Sequence, residues 1–168
     1  MHDERFPLVD EEGRVIGSAL RSQVHGNPAL LHPVVHCLVT DPCGRVLLQL
    51  RSLDKDIQPG KWDTSVGGHV GWGEEVEDAL RRELREEVGL EHVTPRFLYR
   101  YVMRSNIERE LVYTYACVSA GPFTAQASEI DALRFWHPAE VEAALGCGVL
   151  TPNFEDEWKR FRSHRGAF

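Results

Sequence analysis

The chain has 168 residues, of which 42% are hydrophobic and 27% are charged, and its formal net charge is −7 at pH 7. This length predicts one domain over residues 1–168, and the acidic balance argues against a nucleic acid polymer as partner, because proteins that bind one usually carry a basic surface. No apolar run reaches the ~20 residues that span a bilayer and the N-terminus has no signal-peptide pattern, so we expect no membrane partner and a cytoplasmic location.

Short strands and turns dominate the first half of the chain. Apolar and β-branched runs between turn residues predict strands at 6–17 (two strands around an acidic turn), 34–40, 45–51 and 62–70. Residues 21–31 predict a short helix or an irregular arm. The segment Asp41-Pro42-Cys43-Gly44 has turn chemistry, so the strands on either side of it are expected to pair as a hairpin.

Helices alternate with strands in the second half. The predicted helices are 75–88, 138–145 and 152–161, and the predicted strands are 96–104, 111–119 and 132–136. In the last helix Phe154, Trp158 and Phe161 share one face, which predicts that this helix covers the core; the alternative is a dimer contact, which would make the protein a homodimer. Strands and helices mixed in this order indicate an α/β (α+β) fold, an α/β/α sandwich around a mixed central sheet.

The helix predicted at 75–88 carries a crowd of acids. It contains no Gly or Pro, and Gly89 follows at a position where a residue of positive φ often ends a helix. At 3.6 residues per turn, Glu83, Glu86 and Glu87 lie within roughly a third of the circumference. Like charges at these spacings cost about 0.2–0.5 kcal/mol per pair, and the last turn of a helix favours cations.

Two interpretations account for these acids. The first is a solvated helix with many salt bridges, because Arg81 and Arg82 stand four residues from acids on the same helix. The second is a site for a divalent cation, since Mg²⁺ and Mn²⁺ bind carboxylate oxygens and leave positions for water and phosphate. The charge pattern alone does not decide between them.

The longer string favours the metal site. From Gly68 to Leu90 the chain matches G-x5-E-x7-R-E-U-x-E-E-x-G-U at every fixed position, where U is an aliphatic residue. This string resembles the signature of the Nudix hydrolases. The resemblance implies a loop–helix–loop that binds a divalent metal, Mg²⁺ or Mn²⁺, and the diphosphate of a small-molecule substrate.

The resemblance also implies roles for the acids. Glu86 and Glu87 are implied as metal ligands, together with the carbonyl of Gly67. Glu83 is implied as a further ligand or as the base that activates water. Spacing alone shows only a cluster of carboxylates.

Other groups complete the implied site. Arg82 and Glu74 are implied to pair and to hold the helix against its loop, and Gly68 belongs to the loop that binds the diphosphate. Glu129 lies in a late loop where hydrolases of this type often supply another metal-binding acid; the alternative is a surface acid.

A wider part of the chain resembles one branch of this superfamily. The chain is similar to isopentenyl diphosphate isomerase and its hydrolase-like relatives over roughly residues 6–118. The stretches that carry this resemblance are 9–11, 15–17, 24–25, 31–32, 50–56, 59–62 and 64–69. In that isomerase three histidines and a Glu-x-Glu pair build a metal site. The matching positions, which the resemblance implies as a second metal or diphosphate site, are His25, His32, His69, Glu108 and Glu110.

One position separates this chain from the isomerase. The isomerase needs a cysteine for proton transfer one residue before the first glycine of the string, and this chain has Gly67 there. The chain also keeps the full Arg82-Glu83 and Glu86-Glu87 set, which the isomerase has partly lost. Hydrolysis is therefore expected; the alternatives are an isomerase with an unrecognised acid–base pair and a non-catalytic binding domain.

The expected reaction is the metal-dependent hydrolysis of a diphosphate linkage, in a nucleoside diphosphate-X or a related organic pyrophosphate. The metal neutralises developing charge and acidifies water, a carboxylate takes the proton, and water attacks phosphorus. Arg51 and Lys55, just after a predicted strand, are candidates for holding phosphate oxygens; the alternative is ordinary surface charge.

Overall fold

The computed structural model describes residues 2–164, and the elements alternate along the chain much as the sequence predicts. In chain order they are β1 Arg5–Val9, β2 Val15–Leu20, α1 Arg21–Val24, β3 Leu31–Thr40, β4 Val46–Arg51, β5 Trp62–Asp63, β6 Val66–His69, α2 Val76–Val88, β7 Arg96–Arg104, β8 Arg109–Val118, β9 Ile130–Trp136, α3 Pro138–Ala144 and α4 Pro152–Ser163. No helix within this described range is both long and apolar enough to cross a membrane.

A mixed seven-stranded sheet has β3 near its middle, and β1 and β2 form a separate antiparallel hairpin. Strand β3 runs parallel to β8 over its whole length and antiparallel to β6. The sheet continues through β7 beside β8, and through β5 and β9 beside β4. The predicted mixed sheet is confirmed.

The hairpin predicted around residues 41–44 is confirmed, but it is short. Strands β3 and β4 pair antiparallel through one residue pair, Thr40 opposite Val46. The reason is non-local: β8 pairs with β3 along one side, and β6 pairs with residues 34–37 on the other side. Strand β4 therefore diverges from β3 and pairs with β5 and β9 instead.

Helices cover both faces of the sheet, which confirms the α/β/α sandwich. Helix α2 packs Leu80 and Leu84 onto one face in a buried cluster with Val35. On the other face α4 buries Phe154, Trp158 and Phe161, as its amphipathic pattern predicts. Burial of large apolar side chains, at roughly 25 cal/mol per Å² of apolar surface, is the main force that holds both layers in place.

Helix α2 ends where its sequence predicts. Gly89 has a φ of 73°, and its N–H donates to the carbonyls of Arg85 and Leu84. This left-handed cap costs glycine little, because glycine has no Cβ. The cap keeps the last turn, with Glu86 and Glu87, helical and next to the sheet.

Candidate active site

The three acids of α2 lie in unlike environments. The Glu86 side chain is 46% exposed, whereas that of Glu83 is 12% exposed. Burial raises the pKa of Glu83, and burial together with the charge of Glu83 raises the pKa of Glu87 to about 8. A solvated helix therefore fits Glu86 alone, and the other two acids are held in a place that disfavours their charge.

Glu87 is tied to the edge of the sheet. The N–H of Gly67 and the side-chain amide of Gln49 both donate to Glu87 Oε2, each at 3.1 Å. Gln49 also donates to the carbonyl of Ser65 at 3.1 Å, which fixes its orientation. Because the N–H and C=O of one strand residue point to the same side, the Gly67 carbonyl is directed towards α2 as well.

Arg82 connects the glycine-rich loop to the acids. Its guanidinium donates to both oxygens of Glu74 at 2.9 Å, to Glu83 at 2.6 Å and to the carbonyl of His69 at 2.9 Å. A weaker contact of 3.4 Å joins it to Glu86. The forked contact with Glu74 is the geometry that arginine forms with a carboxylate, and it holds the loop on the helix.

Gly68 allows the closest approach of the loop to α2. A Cβ on this residue would overlap the carboxylate end of Glu83. Only glycine therefore lets β6 lie beside Glu83 with the carboxylate in its present position. This close packing accounts physically for the glycine at the start of the string.

A second cluster of ionisable groups lies on the other face of the same strands. Strand β3 places His32 opposite Glu110 of β8, and His69 comes from β6. Ligand atoms of these three residues all lie within 4.8 Å of one another. His25 joins the cluster through its contact with Glu108 at 3.3 Å. The structure thus brings together all five residues of the second site that the resemblance implies.

The second cluster fits a bound cation on chemical grounds. The Nε2 atoms of His25, His32 and His69 are buried and have no hydrogen-bond partner among residues 2–164. Burial lowers the pKa of His69 to about 3, so its ring is neutral and keeps a free lone pair. Burial and the neighbouring Glu110 raise the pKa of Glu108 to about 7. Neutral imidazoles beside carboxylates form the donor set that Mn²⁺, Fe²⁺ or Zn²⁺ binds.

The two cationic candidates near the acids already have partners. Lys55 forms an ion pair with Glu129, the candidate late-loop acid. Arg51 donates to Asp63 at 3.3 Å and to the carbonyl of Ile57 at 3.1 Å. Burial lowers the pKa of Lys55. The positive charges of Arg51 and Arg21 lower this pKa further, whereas the negative charge of Glu87 raises it. Arg21 is thus a further positive charge near this side of the site.

Sequence reasoning missed several groups of the site. The sequence predicts only a strand at Gln49, although its polar side chain within the apolar run of β4 is the one signal that marks it. Asp63 accepts from Thr151 at 3.0 Å and raises the pKa of Glu87 further. His36 and Glu157 meet only in the folded chain.

A cavity of about 380 Å³ lies away from these acids. Its walls include Pro7 and Val9 of β1, Trp72 of the loop and Tyr113 of β8. Of the acids discussed above, only Glu74 lines it. The cavity is therefore a groove beside the loop, separate from the clustered carboxylates.

Comparison with known proteins places the chain in a family. A family model described as the NUDIX domain matches residues 30–154. The chain belongs to the Nudix family. Its enzyme class is that of the Nudix pyrophosphohydrolases.

Relatives of this Nudix protein carry two kinds of name. It is 36% identical over 148 residues to an isopentenyl-diphosphate Delta-isomerase of Kocuria rhizophila, which covers 84% of this chain and 82% of the relative. It is 34% identical over 167 residues to an uncharacterized Nudix hydrolase of Streptomyces coelicolor, with 98% and 92% covered. A crystal structure from Deinococcus radiodurans superimposes with a TM-score of 0.80 at 27% identity and covers 94% of this chain and 98% of that one. Similarity alone does not choose between the two names.

Replacing Gly68 tests whether Glu83 binds metal in this Nudix site. In Gly68→Ala the added methyl has to displace the Glu83 carboxylate, so we expect the affinity for Mn²⁺, measured by isothermal titration calorimetry, to fall about tenfold or more. Gly17→Ala is the matched control, because a Cβ at Gly17 would meet only Leu8 Cδ1 at 3.9 Å. An unchanged affinity in Gly68→Ala would remove Glu83 from the ligand set.

The pKa of Glu87 predicts how the stability of the metal-free protein depends on pH. Unfolded Glu87 loses its proton near pH 4.5, whereas the folded residue keeps it to about pH 8. Between these values the unfolded state binds fewer protons, so Glu87 makes the folded state less stable as pH rises, by up to about 1.4 kcal/mol per pH unit.

Denaturant unfolding in the presence of a chelator measures this effect. The free energy of unfolding of Glu87→Gln minus that of the wild type is expected to grow steadily across this pH window, because Gln does not titrate. Parallel pH profiles for the two proteins would contradict the burial of an ionisable acid at this position.

Proposed function

We propose that this chain is a metal-dependent Nudix hydrolase that cleaves the diphosphate linkage of a small molecule, a nucleoside diphosphate-X or a related organic pyrophosphate, by attack of water at phosphorus. The observation that carries the proposal is the complete set of acids on α2, two of them shielded from solvent, facing the glycines of β6. Such acids are costly unless positive charge is bound beside them.

The donor set on α2 suits a hard divalent cation. Glu83, Glu86 and Glu87, with the Gly67 carbonyl, would hold Mg²⁺ or Mn²⁺ through oxygen atoms. When bound, the cation supplies charge neutralisation for the diphosphate and makes water more acidic. Glu129 is a further candidate ligand once its ion pair with Lys55 opens.

A carboxylate with a raised pKa is suited to remove a proton from the attacking water. The pKa values of Glu83 and Glu87 are both raised, which brings each closer to neutrality, where a general base works best. Arg82 contacts Glu83 at 2.6 Å and favours its ionised form. Glu83 is therefore a candidate base as well as a candidate metal ligand, while Glu87 is held on the sheet by Gly67 and Gln49.

Positive side chains interact with the acids and with one another. The charges of Arg51, Glu87 and Arg21 all act on Lys55. A substrate phosphate is expected to compete with Glu129 for Lys55, because both are anionic oxygen ligands. Arg51 contributes its charge from a fixed position, since Asp63 holds it.

The second candidate function is isopentenyl diphosphate isomerisation. It is favoured by the assembled cluster of His25, His32, His69, Glu108 and Glu110 and by the isomerases among the relatives. Gly67 stands against it, because a residue without a side chain supplies no thiol for proton transfer to carbon. Hydrolysis needs no such group, so it remains the function that the residues support best.

Incubation with isopentenyl diphosphate and Mg²⁺ separates the two functions. Proton NMR is expected to show no dimethylallyl signals, whereas a panel of nucleoside diphosphate sugars is expected to contain a compound that releases a phosphorylated product. Omission of the metal should abolish that release. Dimethylallyl signals formed at a catalytic rate would overturn the assignment in favour of the isomerase.

Replacement of Glu86 tests the role of the α2 acids. Glu86→Gln is expected to lower turnover more than about 100-fold, because it removes a charge from the proposed metal site. The circular dichroism spectrum and melting temperature are expected to stay unchanged, because the Glu86 side chain is half exposed. Glu91→Gln, an exposed acid just after the same helix, is the matched control. Wild-type turnover in Glu86→Gln would take this residue out of the site.

A further inference from the structure

A buried polar group lies behind Gly67, on the sheet face that α4 covers. It consists of His36 of β3, Glu157 of α4, and Tyr99 and Tyr101 of β7, and is called the His36 cluster below. The Glu157 carboxylate is fully buried, accepts a hydrogen bond from Tyr101 and accepts another from Tyr99 at 3.1 Å. None of the roles assigned above uses this cluster.

Glu157 holds the His36 ring from one side. His36 Nδ1 is buried and faces Glu157 Oε2 at 3.6 Å. Burial opposes a charge on His36, but Glu157, Glu110 and Asp63 outweigh it and raise the pKa of the imidazole. A carboxylate beside Nδ1 favours the proton on that nitrogen. The free edge of the ring, with Nε2, is then the edge that faces away from Glu157.

That free edge lies against Gly67. His36 and Gly67 are directly opposite in the pairing of β3 with β6. A Cβ built on Gly67 would lie 3.2 Å from His36 Cδ2 and 3.5 Å from Nε2. The ring therefore occupies the space into which a side chain at residue 67 would extend, and a cysteine there would have to displace it.

Nε2 is an unused hydrogen-bonding atom beside the proposed diphosphate site. The His36 side chain keeps 14% of its surface exposed although Nδ1 has none, and no hydrogen bond to Nε2 is found within residues 2–164. A hydrocarbon packed against this atom would leave it unpaired, which costs binding energy, whereas a hydroxyl satisfies it in either protonation state. The exposed part of His36, at Nε2, is thus suited to contact a polar group of the substrate.

We propose that His36 is a specificity-determining residue, which hydrogen-bonds a hydroxyl on the group attached to the diphosphate, and that Glu157 is its positioning residue. The substrate class is then a diphosphate of a hydroxyl-bearing group, such as a sugar, and not a hydrocarbon diphosphate. This inference rests on the proposed function, because it takes the diphosphate to lie beside Gly67 and α2.

Binding of three ligands with the same diphosphate and different attached groups tests the inference. The ligands are ribose 5-diphosphate, isopentenyl diphosphate and inorganic pyrophosphate, titrated calorimetrically with Mg²⁺ into Glu86→Gln protein so that turnover does not interfere. The test variant adds His36→Leu and Glu157→Gln together, because removing the histidine alone would leave an uncompensated buried charge and risk unfolding.

The ribose ligand is expected to bind at least tenfold more weakly to the test variant, while the Kd values of the other two ligands stay unchanged or decrease. Glu157→Gln alone is expected to shift the preference in the same direction by a smaller factor, since the imidazole remains but is less well oriented. His92→Leu, an exposed histidine after α2, serves as the control for loss of an imidazole.

The outcomes separate this inference from the function on which it rests. Equal weakening of all three ligands would mean a structural role, and unchanged binding of all three would mean no role; either result overturns the inference and leaves the hydrolase proposal standing. Failure of all three to bind the Glu86→Gln parent would overturn the inference, and no diphosphate hydrolysis by the wild type would overturn the hydrolase proposal as well.

Discussion

The arrangement depends on holding acidic side chains where water is scarce and where their charge is costly. Glu83 and Glu87 lie four residues apart on one helix, and burial raises the pKa of each. Their charge is supported by Arg82 on one side and by the Gly67 N–H and Gln49 amide on the other. These contacts fix α2, β6 and β4 relative to one another, so the same groups that make the acids tolerable also set their geometry.

The candidate site uses both faces of β3 and β6, at the place where β4 and β6 separate. Strand β6 pairs with the middle of β3, residues 34–37, whereas β4 pairs only with its last residue, Thr40. Gly67 lies at this opening, with Glu87 bonded to its backbone and the His36 ring against its Cα. Near the start of β3, the parallel pairing with β8 sets His32 opposite Glu110. Strand β3 thus connects the acids of α2, the second cluster with His32 and Glu110, and the His36 cluster under α4.

The sequence predicts what is local and misses what tertiary pairing creates. Helix α2 and its end at Gly89 follow from spacing and composition within a continuous stretch, and the five residues of the histidine cluster follow from family resemblance. The β3–β4 hairpin is confirmed only as a single residue pair, because turn chemistry carries no information about competing strands. Lys55 and Glu129 were interpreted separately, although they form an ion pair across 74 residues of sequence. Glu157 gave no signal, since a charged residue in an amphipathic helix normally faces solvent.

The position of Glu157 has a consequence for how members of the family are grouped. The shared domain ends at residue 154, three residues before the carboxylate that orients His36. A polar determinant of ligand choice is therefore contributed by a segment that lies outside the part by which these proteins are recognised. A match to the common domain alone therefore does not show whether a protein carries this carboxylate.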